Sequence, residues 1–271
     1  MNLQNYEKLT LNEYAKSVNI QAIYECEAIL NKFFNHINTK FEQSDLCTTR
    51  MVIRDDSQQA CYENGQFFLC SGLFKNLFEE DSKDKLSIKN HNVNHYSLCW
   101  VIAHEFSHYI QNQNLIKSTF PDINNKAFEF DADRVAITLL YASLNSLFFE
   151  ISKIELKKMI LIGLHYAFKN KTIFDGRAYS TSVITHPTSA MRLHYSMATL
   201  AYQDCPSITC NESKETINFL MKVLHKLEND YELDSEYKNN YFDFDQYIKI
   251  ILIMTTKIYY WNMNNFVYYY N

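Results

Sequence analysis

The chain predicts a mainly helical α+β fold with a small antiparallel sheet or hairpin, and three observations predict it. Among 271 residues, Gly 4 and Pro 3 are very low counts, so long helices and few tight turns are expected. Apolar residues recur every three or four positions in stretches free of both breakers, as in Leu98, Val101, Ile102, Phe106, Tyr109 and Ile110. The β-prone runs are Cys47–Arg54 and Ala60–Cys70.

Each element follows from local chemistry. Thr10-Leu11-Asn12-Glu13 has capping-box spacing and opens a helical N-terminal region. Ile23, Cys26, Leu30, Phe33 and Ile37 mark one buried helix face. Asn64-Gly65 is the strongest hairpin turn signal in the chain and leads into Gln66–Cys70. A helix starts at Ser71 and reaches Glu80, and the polar Asp81–Asn94 reads as a loop. Tyr96–Asn112, without Gly or Pro, is a helix. Asn114 to Asn125, with Pro121, turns the chain into a second long helix at Lys126–Ser152. Ser152-x-x-Glu155 caps a third helix to about Asn170, and Lys171–Ile184 forms an irregular connection. Pro187 suits the first position of a helix running to about Gln203. Asn211–Glu228 and Asp243–Trp261 read as C-terminal helices joined by the acidic linker Asn229–Asn240. Tyr 20 and Phe 19 supply the bulk of the core.

Composition excludes some classes. A net charge of −5 with a pI near 6.0 makes no electrostatic case for nucleic acid. The seven cysteines are odd in number and scattered. Cys205 and Cys210 lack a partner pair at zinc-finger spacing, so the cysteines read as reduced thiols of a cytoplasmic protein. Met1–Thr10 is polar, unlike a secretion signal. Val135–Phe149 is broken by Thr138, Ser143, Asn145 and Ser146, and Tyr247–Trp261 contains Lys249 and Lys257. Both are expected to be core helices, so no membrane span is expected.

The chemistry concentrates in His104-Glu105-Phe106-Ser107-His108. On a helix, His104 and His108 point from one face on adjacent turns and can grip one Zn²⁺, while Glu105 is placed to take a proton from a water on the metal. For these five residues alone, a chance match on a buried helix is the competing reading. Downstream, Glu129 and Asp133 share a face of the next helix. Glu129 can be the third ligand, and Asp133 can accept the second N–H of a ligand histidine. Acids near a helix start are also ordinary dipole complements. His186, at the mouth of the helix led by Pro187, can hydrogen-bond the oxyanion of a tetrahedral intermediate. Arg192 lies further along that helix. From spacing alone, a surface histidine before a helix explains His186 equally well. Tyr179 is a second oxyanion candidate. His91 and His95 are expected in a solvated loop, and His165, His194 and His225 as single packed or exposed residues.

The order of histidine motif, Glu-x-x-x-Asp, then His-Pro with Arg six residues after the His resembles the gluzincin metallopeptidases of the HtpX and CAAX-prenyl-protease family. The resemblance spans about residues 47 to 200. It implies zinc ligands His104, His108 and Glu129, with Glu105 as base and His186 as oxyanion partner. Asp133 and Arg192 fall on the family's supporting positions. Asn64–Leu73 is similar to that family's edge strand and following helix start, which implies a substrate-binding role for Phe67, Phe68 and Leu69; the competing reading makes Phe67 and Leu69 core residues of an inner strand. The implied architecture is a zincin-like core with an N-terminal helix over residues 1–205, and a helical extension over 206–271 packed on it. Two features depart from the family: no transmembrane helices flank the motif, and the loop before the edge strand is short in glycine. Compact cytosolic phage-exclusion peptidases of the Lit type also use a histidine-glutamate motif of this kind, and this chain is similar to them in size and expected compartment.

These expectations converge on a zinc metalloendopeptidase with one Zn²⁺ per chain and a peptide or protein substrate. Two alternatives stand beside it. One is a narrow-specificity intracellular protease toxin or exclusion factor. The other is a zinc-stabilised binding module without turnover, against which Glu105 argues, since a structural site has no use for a base.

Overall fold

Residues 6–40, 50–57, 60–63, 66–79, 87–88, 91–113, 125–175, 189–205 and 210–230 are described by a computed structural model. Strand β1 (Lys8–Thr10) leads directly into α1 (Leu11–Val18). The junction is a capping box. The Glu13 N–H donates to Thr10 Oγ1 at 3.2 Å, and the Thr10 N–H donates to the Glu13 carboxylate at 2.7 Å. Asn19, at φ 54°, closes α1 in the left-handed conformation that asparagine tolerates. The next helix, α2 (Gln21–Lys40), buries Ile23, Cys26, Leu30 and Phe33, four of the five residues expected on its apolar face. The side chain of the fifth, Ile37, lies outside what is described.

Three further strands complete a sheet: β2 (Arg50–Ile53), β3 (Ala60–Glu63) and β4 (Gln66–Cys70), in the order β1-β2-β4-β3. Glu63 faces Gln66 in the antiparallel β3–β4 pair, so the pairing brackets Asn64-Gly65, which lie outside the described residues. The sheet is mixed, not antiparallel throughout as the sequence predicts. Strand β4 runs parallel to β2, because the chain leaves β2, forms β3 at the rim and returns between them. This corrects the reading of Phe67, Phe68 and Leu69 as an edge strand. They sit on an inner strand paired on both sides, and all three are buried. Phe67 and Leu69 join the main core, while Phe68 and Ile53 form a small cluster on the opposite face with Met51 and Cys61. The rim strands are β1 and β3, and β3 is the one that packs on α4.

Beyond the sheet the described residues are mainly helical. Helix α3 (Ser71–Phe74) passes into a π-helical turn, Lys75–Glu79. Two short strands, β5 (Ser87–Ile88) and β6 (His91–Asn92), pair within the segment expected to be a loop. The long helices follow: α4 (Asn94–Gln113), α5 (Asn125–Leu147), α6 (Lys153–Asp175), α7 (Ser189–Tyr202) and α8 (Asn211–Asp230). Helix α4 is central, packed by α2, α5, α6 and β3, and α7 covers α5 and α6. Helix α8 packs on α6 and α7.

Gly163 on α6 permits the closest approach to α4, since a Cβ there would come within 2.9 Å of the Val93 carbonyl oxygen. The Ser97 hydroxyl uses that proximity to donate to Gly163 O at 2.6 Å. His95, expected to be solvated, is only 2% exposed, with Nε2 2.8 Å from Ala22 O. The helix begins earlier than the polar sequence suggests, which turns His95 into the core. Helix α6 likewise continues five residues beyond Asn170, so Lys171–Asp175 is helical. The Asp243–Trp261 helix expected from the sequence lies outside the described residues. No described helix is long and apolar enough to cross a membrane, and Val135, Ile137, Leu140 and Leu144 belong to the buried core.

Candidate metal centre

Helix α4 has no breaker between His104 and His108, so their side chains leave adjacent turns in the same direction. Their Nε2 atoms lie 3.1 Å apart. Glu129, from the facing turn of α5, completes the group, with carboxylate oxygens 3.4 Å from His104 Nε2 and 3.3 Å from His108 Nε2. The possible ligand atoms of these three residues all lie within 4.8 Å of one another. The edges of a tetrahedron built on metal–ligand bonds of about 2.0–2.1 Å measure about 3.3–3.4 Å. Two imidazole nitrogens 3.1 Å apart, each within 3.3–3.4 Å of one oxygen of the same carboxylate, therefore suit Zn²⁺ in size and donor chemistry.

A second layer holds this group in place. Asp133, one turn after Glu129 on α5, lies 3.0 Å from His104 Nδ1. A proton on Nδ1 shared with that carboxylate would leave Nε2 available to ligate a metal. Arg192 on α7 grips Asp133 with both arms, Nε at 2.8 Å and Nη2 at 2.7 Å. Its Nη1 reaches to 3.6 Å from Glu129, and its Nη2 lies 3.3 and 3.2 Å from the two ring nitrogens of His104. The guanidinium also sits 5.4 Å from the Trp100 ring and 5.2 Å from Phe168. Trp100 stacks on His104 with centroids 5.4 Å apart.

Electrostatics follow from this packing. Burial disfavours the charged form of Glu129, but hydrogen bonds from His104 and His108 and the Arg192 charge outweigh it. The carboxyl is held well below the usual carboxylate range. For Asp133, burial is again opposed and outweighed, here first by the charge and hydrogen bonds of Arg192 and then by His104. Both acids are thus ionised, ready to hold a cation or orient its ligand.

The group is closed on one side and open on the other. The His104 side chain is 7% exposed and Asp133 is fully enclosed, whereas His108 is 28% exposed. Glu105, beside His104 on the half-buried flank of α4, faces the rim strand β3. Burial and then the Glu105 charge push the Cys61 thiol on that strand up to about 11. Tyr62 pins the strand to the helix through its ring contacts with Phe106 at 6.1 Å and Tyr109 at 4.5 Å.

The structure therefore brings His104, His108, Glu129, Asp133 and Arg192 together, with Glu105 half-buried beside His104. Phe67, Phe68 and Leu69 lie in the sheet core instead. His186 and Tyr179 fall outside the described residues. Sequence reasoning missed Trp100 and Phe168. Trp100 lies four residues before His104, so helical spacing alone places it on the same face, while Phe168 carries no such signal.

Comparison with known proteins adds one match. The family model described as Peptidase U49 covers residues 55–209, more than half of the chain and the whole span from β3 through α7. No curated protein and no solved structure gives a significant match.

Proposed function

The chain belongs to the Peptidase U49 family, and from that footing we propose that it is a zinc-dependent endopeptidase whose metal is held by His104, His108 and Glu129. The observation that carries the reading is the approach of His104 Nε2 and His108 Nε2 to each other and each to one Glu129 oxygen, at 3.1–3.4 Å, backed by Asp133 and Arg192. Of the two resemblances seen in the sequence, the Lit type accords with the family match; the HtpX-like reading supports the ligand assignment by motif order alone. When bound, Zn²⁺ would supply Lewis acidity that makes water a competent nucleophile near neutral pH.

The remaining work falls to this chain's own groups. Glu105 accepts the proton of the attacking water on the open side and then delivers it to the leaving amine. Asp133 holds the His104 ring in one tautomer and orientation, and Arg192 holds Asp133. His186 donates to the developing oxyanion. An extended peptide lies along the free rim of β3, where main-chain groups unpaired within the sheet can bond it as a further strand. That ledge replaces the one expected at Phe67–Leu69.

The test is cleavage of a broad library of peptides and folded proteins by the purified chain, before and after removal of metal. Activity should vanish on chelation and return with Zn²⁺. Glu105→Gln should keep the metal and the fold but lose cleavage, because it preserves shape and removes the base. Turnover by the metal-loaded Glu105→Gln chain at the original rate would overturn the mechanism. Cleavage of a single protein in the library would favour the narrow exclusion-type reading over a general peptidase.

A further inference from the structure

The far end of α7 carries a second group of potential ligands that the peptidase chemistry does not use. Cys205, Cys210 and Glu212 place their donor atoms all within 4.8 Å of one another. Their spacing, Cys-x-x-x-x-Cys-x-Glu, lacks the second cysteine pair of a zinc finger, which is why the sequence leaves them as thiols.

The backbone on both sides is held in place. After α7, Asp204 adopts a left-handed conformation at φ 72°, and the Cys205 N–H closes the turn by donating to Tyr202 O at 3.0 Å. Lys153 at 3.1 Å and Lys157 at 3.7 Å hold the Asp204 carboxylate, and the Tyr141 hydroxyl donates to it. The same Lys157 donates to Gln203 O at 2.6 Å and Ala201 O at 3.3 Å, fixing the carbonyls that end the helix. On the other side, Cys210 occupies the N-cap of the 20-residue α8. The Ser213 N–H donates to its sulfur at 3.3 Å.

We propose that Cys205, Cys210 and Glu212 form a second metal site, selective for a thiophilic divalent cation of the Zn²⁺ class, that clasps the end of α7 to the start of α8. Two sulfur donors and one carboxylate suit such a cation better than Ca²⁺ or Mg²⁺, which take oxygen ligands. The carboxylate separates this reading from a simple disulfide, which has no use for it. A bound cation displaces the thiol protons. Three protein ligands leave a fourth position facing solvent. The site lies apart from the His104–His108–Glu129 group and does not depend on the peptidase reading.

The experiment uses the full chain, stripped of metal, reduced, and titrated with Co²⁺. Of the two groups found among the described residues, the Cys205 group alone offers sulfur, so near-ultraviolet sulfur-to-cobalt absorption distinguishes it from the histidine group. That absorption should appear in the wild type and persist in His104→Ala/His108→Ala. It should disappear in Cys205→Ser/Cys210→Ser. Glu212→Gln should weaken Co²⁺ binding at this site by more than the roughly 10–100-fold cost of losing a partner behind a ligand. Zinc content should fall by one equivalent in the double serine variant, separately from the equivalent lost when the histidines are changed. The proposal is overturned if the reduced wild type shows no sulfur-to-cobalt absorption, or if it is undiminished in a folded double serine variant. A titratable thiol count that falls by two without reductant, with no such absorption under reduction, would make the pair a disulfide and overturn it equally.

Discussion

At the residue scale, the two acids of α5 have separable duties. Glu129 faces both His104 and His108, whereas Asp133 touches His104 from behind and is tied to Arg192. Asp133→Asn should therefore weaken Zn²⁺ binding by about 10–100-fold, and Glu129→Ala should weaken it further. Competition with a chelator of known affinity measures both, and the reverse order would mean that the two roles are exchanged. His186→Ala should leave metal content and KM near normal while lowering kcat by about 10²–10³, the cost of one oxyanion donor. A defect confined to KM would make His186 a substrate-positioning residue instead. The pairing of His104 with His108, and of Glu129 with Asp133, was legible because helical periodicity converts spacing into direction: four apart means one face. Arg192 was legible only through the order of motifs, since nothing local to α7 announces that its side chain reaches Asp133. Phe168 was not legible, because its contact with the Arg192 guanidinium depends on how α6 crosses α4 and α7.

At the element scale, the sheet shows where local signals stop. Strand propensity and the Asn64-Gly65 turn were enough to locate β3 and β4, and the capping box to start α1. Strand order was not, because which strand becomes the rim depends on where β2 pairs, a long-range choice without a local signal. The two outcomes predict different mutants. Phe67 is fully buried between Phe34, at 5.1 Å, and Tyr62, at 4.5 Å. Phe67→Ala should lower stability by about 3–5 kcal/mol in denaturant unfolding, as a core truncation does. An unfolding midpoint unchanged from wild type would return this strand to the surface.

The substrate ledge is then tested on β3. A two-residue hairpin loop makes Glu63 and Gln66 a hydrogen-bonded pair, so alternation turns the amides of Tyr62 and Ala60 toward the free rim. Tyr62 is needed for packing, which leaves Ala60. Ala60→Pro removes an outward donor at the first position of a strand, where proline is tolerated. The variant should fold and bind metal yet cleave poorly. Normal cleavage by a folded Ala60→Pro chain would place the substrate elsewhere.

At the scale of the whole molecule, the metal group and the fold share one buried ion pair. Asp133 on α5 and Arg192 on α7 are both enclosed, and through His104 and Trp100 they bind those helices to α4. Removing one partner leaves the other charge stranded in the core, a loss of about 3–5 kcal/mol, whereas removing both leaves no stranded charge. Asp133→Leu should thus be much less stable than Asp133→Leu/Arg192→Met. The pair also sets a pH limit. Burial opposes the Asp133 charge, but Arg192 and His104 overcome it, so the folded carboxyl titrates below its unfolded value. Its contribution is complete above the unfolded value of about 4 and is lost as pH falls through the lower folded value. Denaturant unfolding of the metal-free chain should therefore show stability declining below about pH 4, with a shallower decline in the double variant. If single and double variants unfolded at the same midpoint, and both kept the wild-type acid limb, the Asp133–Arg192 pair would not be what joins the centre to the fold.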